Sequence, residues 1–77
     1  MSKVEYAWVI RRDDGKFYVT TTKSQGRTRH IYDNRLLYAL RENCQSESQE
    51  TIDVYKLQNC RPVKIEMRVV EDEKETN

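Results

Sequence analysis

The 77-residue chain has no apolar run near the roughly 18 residues that a membrane-spanning helix needs, so no membrane partner is expected. Its first residues, 1–5, carry charge and lack the apolar segment of a secretory signal, which favours a cytoplasmic location in a host cell. Only two cysteines occur, Cys44 and Cys60, too few for a disulfide framework. We expect reduced thiols, and a bond between the two stays open.

Glycine, proline and histidine are also scarce, with two, one and one residues. No glycine-rich phosphate loop, nucleophile elbow or metal-binding loop is present. His30 has no carboxylate or nucleophile in local register, and one histidine with two distant cysteines fits no zinc spacing. The sequence therefore predicts a protein that is not an enzyme and binds no metal or cofactor.

Charge is distributed unevenly, although the net charge is only +1. Residues 1–41 hold nine Lys or Arg against four Asp or Glu, whereas 42–77 hold five against nine. The bases are densest over 16–30, which contains no acid. Opposite charges at two ends steer encounters with charged partners. The length predicts one domain over 1–70, and the acidic end, 71–77, is expected to be a flexible tail.

The first third of the chain has the pattern of a β-hairpin. The apolar positions that recur at the period of a strand are Val4, Tyr6, Trp8 and Ile10. The Asp14-Gly15 pair is a strong turn signal, and β-branched and aromatic residues resume after it. This predicts a hairpin over 4–22. Residues 28–32 fit either a short third strand or an extended lead-in to a helix.

The second half shows a helical pattern and then strand patterns. The helically spaced apolar residues are Leu36, Leu37, Leu40 and Cys44. They predict a helix over 34–45, with Asp33 or Asn34 as its N-cap. A polar loop over 45–50 and a strand over 51–57 are expected next. Alternating apolar residues after Pro62 predict a last strand; they are Val63, Ile65, Met67 and Val69.

These elements predict an α+β fold in the order β-hairpin, helix, β-hairpin. The expected architecture is an antiparallel sheet of four to five strands with one helix packed on one face. The apolar faces of the first and last strands are expected to meet beneath the helix. An exposed sheet edge leaves a homodimer as an open alternative.

The basic segment 16–30 is the leading candidate for a contact surface, with a solvated polar loop as the alternative interpretation. Its cations suit an acidic protein surface or a nucleic-acid backbone. Tyr and Arg are over-represented among residues that dominate binding energy. The predicted partner-binding residues are Lys23, Arg27, Arg29, His30, Tyr18 and Arg35.

Four segments follow one another along the chain: Trp8-Val9-Ile10 leading to Asp14-Gly15-Lys16-Phe17-Tyr18, the basic segment, Ile31-Tyr32-Asp33-Asn34, and residues 63–71. In the order of these segments and in its length, the chain resembles small accessory proteins encoded by phages and prophages. The resemblance implies a protein that binds one host macromolecule, such as a CRISPR nuclease, RNA polymerase or a repair or defence factor, and blocks or redirects it.

The predicted function is that of a non-enzymatic protein-binding module, an inhibitor of a host defence or transcription complex of the anti-CRISPR kind. Its expected partner is a host protein or ribonucleoprotein complex. The alternative is a small nucleic-acid-binding protein that uses the basic loop 16–30. A steep dependence of affinity on salt distinguishes the alternative, because phosphate contacts release counterions.

Overall fold

Four antiparallel strands, one α-helix and one 3-10 turn form the part of the chain that the computed structural model describes, residues 2–70. The strands are β1 (Ser2–Arg12), β2 (Phe17–Ser24), β3 (Arg27–Asp33) and β4 (Cys60–Val70), in the spatial order β3-β2-β1-β4. The 3-10 turn is Leu36–Tyr38 and the helix, α1, is Gln45–Tyr55. The α+β class is confirmed. The acidic tail predicted over 71–77 lies outside the described residues.

Two tight turns connect the first three strands. Gly15 has a φ of 90° between β1 and β2, and the backbone N–H of Arg12 donates to the carbonyl of Lys16 at 2.7 Å. Between β2 and β3, Gln25 and Gly26 both have positive φ, which matches the twist of the flanking strands. Residues 28–32 therefore belong to a third strand, which resolves the alternative that the sequence left open.

The helix predicted over 34–45 does not form. Only Leu36–Tyr38 turns helically, and Ala39 returns to an extended conformation. The Leu40 N–H donates to the carbonyl of Tyr18 at 3.0 Å, and Glu42 exchanges backbone hydrogen bonds with β1. These backbone groups form hydrogen bonds with strands of the sheet and not within a helix. Tertiary pairing therefore overrides the helical spacing of the leucines.

The α-helix instead occupies the segments predicted as a loop and a strand, 45–50 and 51–57. The Glu47 carboxylate in its first turn accepts the Asn43 backbone N–H at 3.0 Å. The helix ends where Lys56 adopts a left-handed φ of 54°. The second predicted hairpin is therefore absent from the described residues, and β4 pairs with β1.

The core lies beneath α1 and contains Ile10, Tyr18, Ile52 and Leu57. Tyr32, Leu40 and Cys60 pack against it and are partly buried. Full burial of side chains of this size contributes about 1.5–3 kcal/mol each. Packing of Ile52 and Leu57 against Ile10 of β1 and Tyr18 of β2 therefore holds the helix on one face of the sheet.

The apolar residues of β1 and β4 lie on opposite faces of the sheet, so the prediction that both sets face the helix is wrong. Ile10 lies opposite Pro62, on the helix side. On the other side, Val63 and Ile65 lie opposite Val9 and Ala7, which are both buried. A register difference of one residue reverses the face of every side chain, and alternation alone does not specify it.

Candidate functional site

The distal parts of β2 and β3 form a two-stranded arm that separates from β1. β1 and β2 are paired in register at one position, Arg11 opposite Phe17. Farther along β1, Trp8 and Glu42 exchange two backbone hydrogen bonds of 2.8 Å. The linker between β3 and α1, residues 34–44, therefore occupies the edge of β1 that β2 leaves. The described part of the chain is accordingly elongated, 52 × 25 × 21 Å. We call the ribbon of residues 20–31 the arm.

The arm carries most of the predicted contact residues but divides them between its two faces. Residues opposite each other in an antiparallel pair project to the same side. Arg29 lies opposite Thr22, and Arg27 lies opposite Ser24, so both arginines occupy one face. Lys23 lies opposite Thr28 on the other face, which it shares with His30. Positive charge is thus presented on both sides of the ribbon.

Tyr18 lies at the base of the arm and belongs to the core. Only 2% of its surface is exposed, so the prediction that it anchors a partner is replaced by a structural role. Its hydroxyl hydrogen-bonds with Thr21 Oγ1, and that oxygen lies 2.9 Å from His30 Nδ1. Burial raises the pKa of Tyr18. The chain Tyr18–Thr21–His30 ties the arm to the core.

His30 marks the boundary between the arm and the helix. Its ring lies edge-on to that of Tyr55, with 6.3 Å between centroids, and it is half-buried. Because Nδ1 faces Thr21, the remaining edge of the ring carries Nε2.

Within residues 2–70, the three cations on the arm have no carboxylate partner, whereas two arginines at its base do. Among the described residues, Lys23, Arg27 and Arg29 form no ion pair. At the base, Arg12 contacts Asp14 at 2.8 Å and Arg35 contacts Asp33 at 3.1 Å. The charges of the arm are thus free to be neutralised by another molecule.

Arg35 is separated from the other predicted contact residues. It lies just after β3, at the end opposite the Gln25-Gly26 turn. Its guanidinium hydrogen-bonds with Asp33, which raises the pKa of Arg35 and lowers that of Asp33. It also lies over the Tyr38 ring, 4.6 Å from the centroid. Arg35 therefore belongs to a second surface, formed with Leu36–Tyr38.

The hydroxyl groups of the arm are a part of the site that the sequence pattern did not predict. A shallow concavity at the tip contains Ser24, Arg27 and Arg29, together with Thr22 and Thr28. Hydroxyl and guanidinium donors side by side are typical of surfaces that contact phosphate oxygens. The Thr-Thr-Thr run beside the bases carried this signal, but β-branched residues indicate strand formation equally well.

The described residues, 2–70, contain no cluster of potential metal ligands. Among them, no three His, Cys, Asp or Glu side chains come together as a metal site. Cys44 and Cys60 are free, and the thiol of Cys60 donates to the Gln58 carbonyl at 3.2 Å. Within residues 2–70 no helix has the length and hydropathy needed to cross a membrane.

Comparison with known protein families, with curated proteins and with solved structures finds no match.

Proposed function

We propose that this protein is a non-enzymatic nucleic-acid-binding protein whose arm contacts the phosphate backbone. The observation that carries the proposal is a group of three cations, unpaired within residues 2–70, on a ribbon that contains no acid. Lys23, Arg27 and Arg29 have no carboxylate partner among the described residues, whereas Arg12 and Arg35 at the base of the arm do. No acid occurs between Asp14 and Asp33, so nothing along the arm repels a phosphate.

The shape of the arm supports the same function. A two-stranded ribbon fits the major groove of duplex DNA, which is about 12 Å wide. Arg27 and Arg29 on one face and Lys23 on the other then point towards the two phosphate walls. The arm contains no Phe, Trp or Tyr, and Tyr18 at its base is buried, so the arm lacks the anchor that protein interfaces favour.

The test is fluorescence anisotropy with a labelled duplex and a labelled single strand of the same sequence, at several salt concentrations. The expected logarithm of affinity falls linearly with the logarithm of salt. Arg27→Ala/Arg29→Ala should weaken binding and lower that slope by about two, because each arginine neutralises one phosphate. The matched control, Arg41→Ala/Arg61→Ala, removes the same charge away from the arm.

Equal losses of affinity in both double variants would assign binding to net charge and overturn the role of the arm. A flat salt profile, or no binding of either probe at low salt, would overturn nucleic-acid binding itself. Far-UV circular dichroism of each variant separates loss of binding from loss of fold.

A second candidate is the protein-binding role that the sequence predicts, inhibition of a host defence or transcription complex in the cytoplasm. The observation that favours it is the surface of Arg35 with Leu36–Tyr38. Leu37 is 71% exposed and Tyr38 is 49% exposed, with the Arg35 guanidinium over the tyrosine ring. Aromatic and arginine side chains of this kind dominate many protein interfaces.

This candidate is tested with a nuclease-treated pull-down from host lysate, followed by inhibition of the purified target. Leu37→Ala/Tyr38→Ala should abolish capture, whereas Arg27→Ala/Arg29→Ala should leave it unchanged. The reverse pattern, or capture that disappears with nuclease, would assign the activity to the arm.

A further inference from the structure

β4 forms one edge of the sheet, and among the described residues only β1 pairs with it. It is 11 residues long, and an open edge of that length is a template for pairing with another strand. Whether a second copy fits depends on two properties. The N–H and C=O groups that point away from each sheet must face those of the other copy. The side chains that lie opposite each other across the new contact must not carry like charges.

The direction of the backbone groups follows from the Trp8–Glu42 contact. In a strand the N–H and C=O of one residue point to the same side, and the side alternates along the chain. Both groups of Trp8 bond to Glu42, away from β4. Lys64, which lies opposite Trp8, therefore directs its own N–H and C=O outward from the sheet.

Pro62, Glu66 and Arg68 share this outward orientation because they lie two residues apart along β4. Pro62 has no N–H, and it stands where β1 requires none, as expected for proline on an edge strand. In a symmetric antiparallel pair, outward residues must oppose outward residues. Near the middle of β4, three registers meet this condition. Lys64 lies opposite Glu66 of the partner subunit, or Lys64 lies opposite Lys64 of the partner subunit, or Glu66 lies opposite Glu66 of the partner subunit.

The charges of the side chains that face each other make one of these registers more favourable than the others. Centring the pair on Ile65 places Lys64 opposite Glu66 of the partner subunit, and the two-fold axis repeats this contact. Moving the centre to Lys64 or to Glu66 places like charges directly opposite each other, which is destabilising. The favourable register also aligns the half-buried Val63, Ile65 and Met67 with the same apolar side of the partner's sheet.

We propose that two copies of this chain pair through β4, antiparallel and centred on Ile65, to form a continuous eight-stranded sheet. The contact is isologous, so it closes at two subunits. The arms lie at the β3 edges, the two far ends of this sheet. The proposal does not depend on what the arm binds.

The test is the mass of the protein by light scattering over a concentration series, against a chain mass of 9.3 kDa. Wild type is expected at twice that mass. Lys64→Glu and Glu66→Lys should each weaken association about tenfold or more, because two attractive pairs become repulsive. Lys23→Glu, on the arm, makes the same change of charge and should remain dimeric.

Mixing the two single variants supplies the decisive control, because the mixed pair again has opposite charges in both contacts. Recovery of the dimer on mixing establishes the register and shows that each variant is folded. The double variant Lys64→Glu/Glu66→Lys should also be dimeric. A wild-type mass of one chain at every concentration, or no recovery on mixing, would overturn the proposal.

Discussion

Trp8 and Glu42 exchange two backbone hydrogen bonds of 2.8 Å, although one belongs to the first strand and the other to the linker before the helix. This contact occupies the edge of β1 from which β2 departs. It also places the Glu42 side chain against the helix, where it meets Ser48 and Thr51. One residue of the linker thus separates the arm from the sheet and holds the helix on it.

Replacing Glu42 with alanine should destabilise the fold. Its carboxylate accepts hydrogen bonds from Ser48 and Thr51, both at 2.8 Å, and Ser48 is completely buried. Hydrogen bonds to charged groups contribute about 1.5–3 kcal/mol, and a buried hydroxyl without a partner adds a penalty. The free energy of unfolding in urea should fall by about 2 kcal/mol or more. Glu50→Ala, an exposed change on the same helix, should leave it within about 0.5 kcal/mol.

The two β-branched aliphatic residues of α1 should respond very differently to truncation. Ile52 is 8% exposed and packs in the core, whereas Val54 is 64% exposed. Ile52→Ala should cost about 2–5 kcal/mol, as cavity-forming core substitutions do. Val54→Ala should be neutral or slightly stabilising, because alanine has the higher helix propensity. Equal effects in thermal unfolding would contradict this placement of the helix.

Acid should weaken the fold partly through Asp14. Its hydrogen bonds with Arg12 and with the Lys16 backbone lower its pKa from 3.8 to about 2. The unfolded chain therefore takes up this proton first, so the contribution is present above about pH 4 and is lost as pH falls to about 2. Asp14→Asn should make the melting temperature less dependent on pH over that range. Added salt should reduce the difference from wild type, since the pair is exposed.

Alkali should act through Tyr32 in the opposite direction. Burial, followed by the hydrogen bond with Cys60, raises the pKa of its phenol from 10.0 to about 12. The unfolded chain loses this proton first, so stability is full below about pH 10 and falls as pH rises to about 12. Tyr32→Phe should reduce that fall. Absorbance of the phenolate should show one fewer late-titrating tyrosine, and a wild-type profile in the variant would contradict the assignment.

Local patterns predicted several elements correctly. Asp14 and Gly15 indicated the first turn, because glycine tolerates the positive φ that the connection needs. The alternation after Pro62 indicated β4, since a strand repeats every two residues. The position of the helix was wrong, because Ile52 and Val54 alternate like a strand although only Ile52 packs against the core.

Which residues bind a partner stays a prediction, and the sequence indicated their arrangement only in part. The absence of acids between Asp14 and Asp33 identified the segment, and the structure places Lys23, Arg27 and Arg29 on one arm. Tyr18 could not be placed by the same reasoning. An aromatic residue in a strand suits a core or a surface equally well, and only the position of α1 decides between them.

The sequence by itself determined the features that depend on a few neighbouring residues: the turn glycines, the periodicity of the strands and the absence of acids from the arm. The tertiary structure decided which strands pair, where the helix forms and which aromatic residue is buried. The physical reason is that backbone groups such as those of Leu40 and Glu42 form hydrogen bonds with the strand edge that lies beside them in the folded chain. Those partners, Tyr18 and Trp8, are distant in sequence and are brought close only by the fold.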